Sequence, residues 1–452
     1  MTIQLWNEAG ETLSGEELEA LQIEKLRELL IRVYEKSPYY REKFDKAGVN
    51  PHEFSSLAQY SKYPTFDKYE ERESQARSKA ELGHPLGMHI TCDITEVNRM
   101  SASSGTTGTP SFQGHTRNDR IIQHENYSRA FARIGLRPGD RVMFAGVMSM
   151  WIAGLPTLDA MMAYGINTIP IGALVGSVKV AEMASLTRPK GILATPSFLR
   201  HMLNKAQAET DIDLKTVGVE KLVVFGEPGG NVPEVIRELS EGFGGAEVYD
   251  IFGGTSCLNP IFISCPAHTG MHFFAPDTAY VELRDTDTGA FIPIEDGAEG
   301  EMIYTGLERE CGPLIRFRDG DRMRVHTKPC SCGQPGWRME VLGRVDDMLL
   351  VKGVNVFPSA IQDVVRRFEQ ELTGNVRILK YDESPVIEPP LQLWAECVGA
   401  PILTEKSAIA ARLQAEIQRV LRFRAEVTLF AEGEMEMEYG ATLKAKLIKK
   451  MY

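Results

Sequence analysis

The chain has 452 residues, 43% hydrophobic and 25% charged, with a net charge of −12. That length sets a soft expectation of about three domain-sized units, and the composition excludes a disordered, collagen-like or coiled-coil chain. The acidic balance offers no footprint for nucleic acid, and seven cysteines are too few, and odd in number, for a disulfide scaffold.

The opening residues, MTIQLWNEAGETLS, carry no leader-like pattern, so the expected compartment is the cytoplasm. Over residues 17–45, Leu18, Leu21, Ile23, Leu26, Leu29, Leu30 and Val33 recur at helical spacing, with a stop at Ser37-Pro38. Residues 101–110, SASSGTTGTP, place two glycines and a proline among serines and threonines. Such a turn brings backbone N–H groups and hydroxyls close to an anion. Read alone, it fits a phosphate cradle or a polar surface loop. It lacks the lysine pattern of a Walker loop.

Residues 142–178 form the most hydrophobic stretch, long enough to span a membrane. Gly146, Gly154, Pro156, Gly165 and Pro170 interrupt it and Asp159 lies near its middle, so it is expected to be buried core. From Val142 onward, β-type runs (VMFAGVM, NTIPI, GILAT, KLVVFG, AEVYDIFG) alternate with helical stretches. That order predicts a mostly parallel α/β sheet, with ligands at the carboxyl ends of the strands. By fold-level analogy, Met148, Met150, Trp151 and Phe252, with Gly253, would line a flat apolar slot, although Trp151 and the methionines fit ordinary core equally well.

After Phe273, alternating apolar and polar residues predict a small antiparallel β unit. Cys265-Pro-Ala-His268 and Cys330-Ser-Cys332 supply four nitrogen and sulfur donors of the type that binds zinc. Idle buried cysteines fit the same residues. His272 is the weaker ligand candidate and is read as a structural hydrogen-bonder. After Arg344 a module of strand, helix, strands, helix and strand ends in a basic tail, residues 442–450, TLKAKLIKK.

Five segments, in this order, resemble the adenylate-forming superfamily of acyl-CoA synthetases, adenylation domains and luciferase. They are Ser101–Pro110, Phe225–Pro228, Tyr249–Thr255, Ile315–Asp321, and Gly343–Met348 followed by Val351–Pro358. The string GVNVFP points to the phenylacetate–CoA ligase branch. The resemblance implies an α/β fold with two domains. Residues 1–344 would form a large domain with mostly parallel sheets, including a zinc-bearing β unit over about 265–340. Residues 345–452 would form a smaller, mobile α+β domain.

It also implies the chemistry. ATP would activate an aryl carboxylic acid to an acyl-adenylate with release of pyrophosphate, and CoA would take the acyl group as a thioester. Ser103, Ser104, Gly105, Thr106, Thr107, Gly108 and Thr109 would cradle pyrophosphate. Gly226, Glu227, Pro228, Asp250 and Phe252 would surround adenine. Asp321 would accept from the ribose hydroxyls, Arg344 would face ribose or phosphate, Asp346 would be the hinge, and Gly353 would let pantetheine pass. Lys444 would bridge carboxylate and phosphate, with Lys446 the second choice. Read alone, RDGDR is a hairpin turn and the lysine run a solvated face. Several relatives of this type carry a structural zinc at a similar pattern, so the resemblance implies Zn²⁺ on Cys265, His268, Cys330 and Cys332.

The sequence departs from the family at Ser256, where relatives carry a Mg²⁺-binding glutamate, at Thr109, where many carry lysine, and at Leu443 in place of glycine. These departures keep open a nucleotide-binding homologue with weakened turnover. A carrier-protein pantetheine or an amine as acceptor also stays open, as does a homodimer.

Overall fold

The computed structural model describes residues 4–103, 110–227, 229–254, 257–345, 349–351, 354–356, 358–381, 386–435 and 447–451. The chain divides into two compact units: Met1–Asp319 with Met323–Glu340, and Gly320–Arg322 with Val341–Tyr452. No helix among the described residues is long and apolar enough to cross a membrane.

In the first unit, the expected helical stretch is two helices, Gly15–Lys36 and Pro38–Ala47. Ser37 breaks the run, its Oγ accepting from the Tyr40 amide, and Pro38 starts the next helix, where a missing N–H costs nothing. Both helices bury an aromatic-rich face, with Tyr40, Phe44, Phe54, Tyr60 and Tyr63 packed on Leu26, Leu30 and Val33.

The alternating segments form the parallel half of a thirteen-stranded sheet. In spatial order its strands are Asn167–Ile169, Arg141–Phe144, Gly191–Ala194, Lys221–Phe225 and Glu247–Phe252. Every residue of Gly191–Ala194 and Lys221–Phe225 is buried. Burial on both faces explains why these strands read as continuous apolar runs. The helices Leu155–Tyr164, Ser177–Thr187, Pro196–Glu209 and Pro233–Gly242 connect successive strands.

The strand Arg141–Phe144 ends short of the run VMFAGVM. The chain turns where Gly146 passes the Phe144 and Phe225 rings, and a Cβ there would stand 2.6 Å from the tip of Phe144. Antiparallel strands then extend the sheet: Phe262–Ser264 on Glu247–Phe252, and Met271–Phe273 on Phe262–Ser264. The alternating pattern after Phe273 is the antiparallel pair Ala279–Arg284 and Glu299–Gly306. A separate two-stranded hairpin, Arg99–Ala102 with Phe112–His115, carries the hydroxyl-rich turn.

In the second unit, a four-stranded sheet runs Ala425–Phe430, Leu391–Cys397, Leu372–Lys380, Ile448–Lys450. The helices Pro358–Arg366 and Leu403–Leu421 bury Ile361, Val364, Val365, Ile409, Leu413 and Ile417 with Ile378 and Leu393. The strand Ile448–Lys450, inside what reads as a basic tail, pairs in parallel with Ile378–Lys380. Ile448 packs on the core, and the Lys449 ammonium sits 4.7 Å over the Trp394 ring.

Candidate active site

The hairpin Arg99–Ala102/Phe112–His115 presents its turn from a fixed base. Ser103 N–H donates to Ser111 O at 2.9 Å, and Ser111 N–H returns to Ser103 Oγ at 2.9 Å. Ala102 N–H donates to Met150 O at 2.6 Å, and Ala102 bridges Trp151 as a parallel partner. Ser103 is thus held at the end of the hairpin, paired with Ser111. Ser104, Gly105, Thr106, Thr107, Gly108 and Thr109 lie outside the described residues.

Trp151 in turn packs on Phe225, with ring centroids 5.8 Å apart, and Phe225 stacks on Phe144 at 6.2 Å and 9°. This aromatic slab stands at the carboxyl ends of Arg141–Phe144 and Lys221–Phe225. Met148 is exposed beside it, its Cε 2.8 Å from where a Gly172 Cβ would be. Gly172 N–H donates to Phe144 O and Ala173 N–H to Gly146 O, so segments 144–151 and 171–173 meet at one place. Nearby in the chain, Asn118 Nδ2 donates to Glu310 at 3.2 Å.

After Phe225 the chain turns at Gly226, where φ is +86°. Glu227 Oε1 accepts from the Ser197 amide at 2.6 Å, in the first turn of the helix Pro196–Glu209. A carboxylate there is stabilised by the helix N-terminus, and it fixes the turn. Pro228 lies outside the described residues. A Cβ at Gly230 would stand 2.5 Å from Asp250 Cγ, so only glycine lets this turn close on Asp250. Asp250 is buried on the neighbouring strand, its N–H donating to Ser264 Oγ at 2.8 Å. Burial pushes its carboxyl up to about 8, which leaves it largely protonated at neutral pH and able to donate a hydrogen bond. Phe252 packs on Phe262 at 6.3 Å, and Gly253 passes Asn259 where a Cβ would be 2.8 Å from its amide oxygen. The position of the family glutamate, Ser256, lies outside the described residues.

In the second unit, Arg344 Nη1 donates to Asp321 Oδ1 at 2.9 Å, and Val345 N–H donates to Gly320 O at 2.7 Å. The two expected ribose contacts are thus brought together, with Asp321 buried. Asp346, Gly353 and Lys444 lie outside the described residues. In the same motif, Arg316 belongs to the interior of the first unit. It makes a bidentate pair with Glu282 at 2.9 and 2.8 Å and donates to Ser61 O and Tyr63 O.

The cysteine and histidine donors converge with one correction. The side chains whose donor atoms lie within 4.8 Å of one another are Cys265, His272, Cys330 and Cys332. His268 is excluded from the set. It sits exposed on a left-handed turn with φ +48° and lines an open cleft of about 490 Å³. His272 lies on the buried strand Met271–Phe273, pairing with Arg338 and Ile263, and that strand aims it inward. Its Nε2 is 3.3 Å from Cys332 Sγ, and its Nδ1 faces Pro335 O at 3.3 Å. Burial, helped by Arg133, lowers the imidazole to about 4, so it is neutral.

None of the cysteines is in a disulfide. Tetrahedral zinc with Zn–S bonds of ~2.3 Å places neighbouring sulfurs about 3.8 Å apart, and Cys265 Sγ and Cys330 Sγ are 3.7 Å apart. Burial pushes the Cys330 thiol up, but hydrogen bonds from the Cys332 backbone and Thr269 outweigh it and hold the group at about 7. Three sulfurs, one neutral imidazole and a carbonyl orienting that imidazole suit a closed four-coordinate metal site.

No family model matches the chain. By sequence it is 30% identical over 361 residues to the phenylacetate-coenzyme A ligase of Escherichia coli, covering 79% of this chain and 78% of that one. It is 29% identical over 454 residues to the phenylacetate-coenzyme A ligase of Thermus thermophilus, covering 97% and 98%. By structure it is similar to 2-hydroxyisobutyryl-CoA ligase in the postadenylation state in complex with 2-HIB-AMP, with a TM-score of 0.84 and 26% identity over 97% of this chain and 91% of that one.

Proposed function

The chain belongs to the phenylacetate–CoA ligase family, and on that premise we propose that it activates an aromatic carboxylic acid with ATP and transfers the acyl group to CoA. A carboxylate oxygen attacks the α-phosphorus, the bond to pyrophosphate breaks, and the acyl-adenylate forms. The thiol sulfur then bonds to the acyl carbon, AMP leaves with the C–O bonding pair, and the thiol proton goes to solvent.

The observation that carries this reading is the Ala102–Trp151 bridge. It ties the base of the hydroxyl-rich turn to the aromatic slab, and the slab continues through Phe225 into the turn that closes on Asp250. Phosphate, acid and purine subsites so linked hold the reacting atoms in one orientation, which removes much of the entropic part of the barrier. Ser103 and the turn's amides bind the departing pyrophosphate, Asp321 and Arg344 hold the ribose, and Lys444 bridges carboxylate and phosphate. The slab, Trp151 included, forms the flat wall against an aryl ring, with Met148 beside it and Gly253 as a further pocket residue. Mg²⁺ enters with ATP.

Pyrophosphate release across a panel of aryl acids, with and without CoA, tests the reading. Release that requires one acid, with acyl-CoA formed when CoA is added, is expected. Nucleotide binding without release would instead mark a homologue that has lost turnover. Acyl transfer to a carrier-protein pantetheine but not to CoA would change the acceptor.

The convergence of their donor atoms supports Zn²⁺ on Cys265, His272, Cys330 and Cys332. The ion would be structural, since four protein ligands leave no position for water. Elemental analysis is expected to find about one zinc per chain. His272→Ala and Cys332→Ser are expected to lose it and lower Tm by roughly 5–10 °C, whereas His268→Ala keeps it. Full zinc in His272→Ala would refute this ligand set.

A further inference from the structure

Among the described residues, Phe112–His115 has one strand neighbour, Arg99–Ala102. The outer edge of a buried strand must satisfy its backbone groups elsewhere. At Phe112, a side chain does so. Gln75 Oε1 accepts from Phe112 N–H at 3.0 Å, and Gln75 Nε2 donates to Phe112 O at 2.7 Å. Its primary amide thus copies both hydrogen bonds that a third strand would make.

Gln75 lies on the helix Lys68–Leu82, whose buried residues are all polar: Glu71, Ser74, Gln75 and Ser78. Two of these, Glu71 and Gln75, serve the hairpin, while Ser74 and Ser78 bond the 84–89 segment. Gln113 Nε2 donates to Glu71 Oε1, and Arg309 donates to Gln113 Oε1. The level of the clamp is informative. Phe112 is the cross-strand partner of Ala102, whose own amide is held by Met150 O. Both legs are therefore gripped from outside at the last paired rung, immediately below Ser103 and Ser111.

We propose that Gln75 is a positioning residue for ATP: it holds the base of the hydroxyl-rich turn so that the turn meets the phosphates without reorganising. This deepens the functional reading above and rests on it. Gln75 touches no substrate, so its contribution is to preorganisation of the donors. Removing it leaves the partly buried Phe112 N–H and C=O without this partner and loosens the base of the hairpin, leaving the slab in place.

Two variants and two measurements test it. Gln75→Met, which keeps length without hydrogen bonds, is expected to raise the KM for ATP about tenfold with the KM for the acid unchanged. Gln75→Glu, which keeps the acceptor for Phe112 N–H, is expected to fall between Gln75→Met and wild type, and decides the matter if Gln75→Met does not fold. Amide exchange of a peptide spanning residues 103–112 is expected to quicken at least about tenfold in the same order. Unchanged exchange, or equal rises in both KM values, would overturn the proposal. Because exchange is read without turnover, a wild type that fails to adenylate would refute the functional reading while exchange still reports on the clamp.

Discussion

Lys444→Ala is expected to slow acyl-adenylate formation by about 10²–10³-fold and leave ATP affinity within about threefold of wild type. Negative charge builds on the α-phosphate and the departing pyrophosphate as the carboxylate attacks. A lysine that touches both reactants acts mainly on that charge, so its loss falls on the chemical step rather than on binding. Three residues downstream of Lys444, Leu447 O accepts from Ile378 N–H at 2.8 Å, and Ile448–Lys450 continues as a paired strand. Lys446→Ala is expected to retain adenylation within about threefold, and supplied acyl-adenylate is expected to react with CoA in both variants. Undiminished adenylation in Lys444→Ala, read by pyrophosphate release, would remove it from the mechanism.

The second large effect is on stability. Arg316→Leu is expected to cost about 3–5 kcal/mol and to lower Tm by roughly 10 °C in a thermal melt. The guanidinium is buried, lies 3.9 Å from the Phe291 ring centroid, and serves Glu282, Ser61 O and Tyr63 O together. Removing it strands the Glu282 carboxylate, whose burial already holds it above the usual range. The double variant Arg316→Leu with Glu282→Leu is expected to recover most of the loss, because an apolar pair leaves no charge behind. No recovery would mean that the backbone contacts to Ser61 and Tyr63 carry the effect.

Much of the parallel sheet of this molecule is legible in the chain. Gly191–Ala194 and Lys221–Phe225 announce themselves because burial on both faces forces unbroken apolar runs, and the hydroxyl-rich turn is dense enough to stand out. What stays hidden depends on contacts between distant segments. CxxH spacing favours His268, yet it is the pairing of Met271 with Met339 and of His272 with Arg338 that carries His272 to the cysteines. The signal was present, a histidine in a short apolar strand, but its partner lies 66 residues on. Ile448–Lys450 has two lysines in three positions and little strand propensity of its own, and its pairing is dictated by Ile378. Gln75 sits in a helix without an apolar stripe, and nothing in its own segment says that its amide completes another segment's ladder.

The aromatic slab has a spectroscopic consequence. Of four tryptophans, Trp151 alone among them packs against Phe225, and it is buried. Trp6 is largely exposed, while Trp337 lies among Phe262 and Phe273 and Trp394 beneath Lys449. With the other three indoles replaced by phenylalanine, the remaining emission would come from one known point, turning the protein into its own optical probe for an arriving ring.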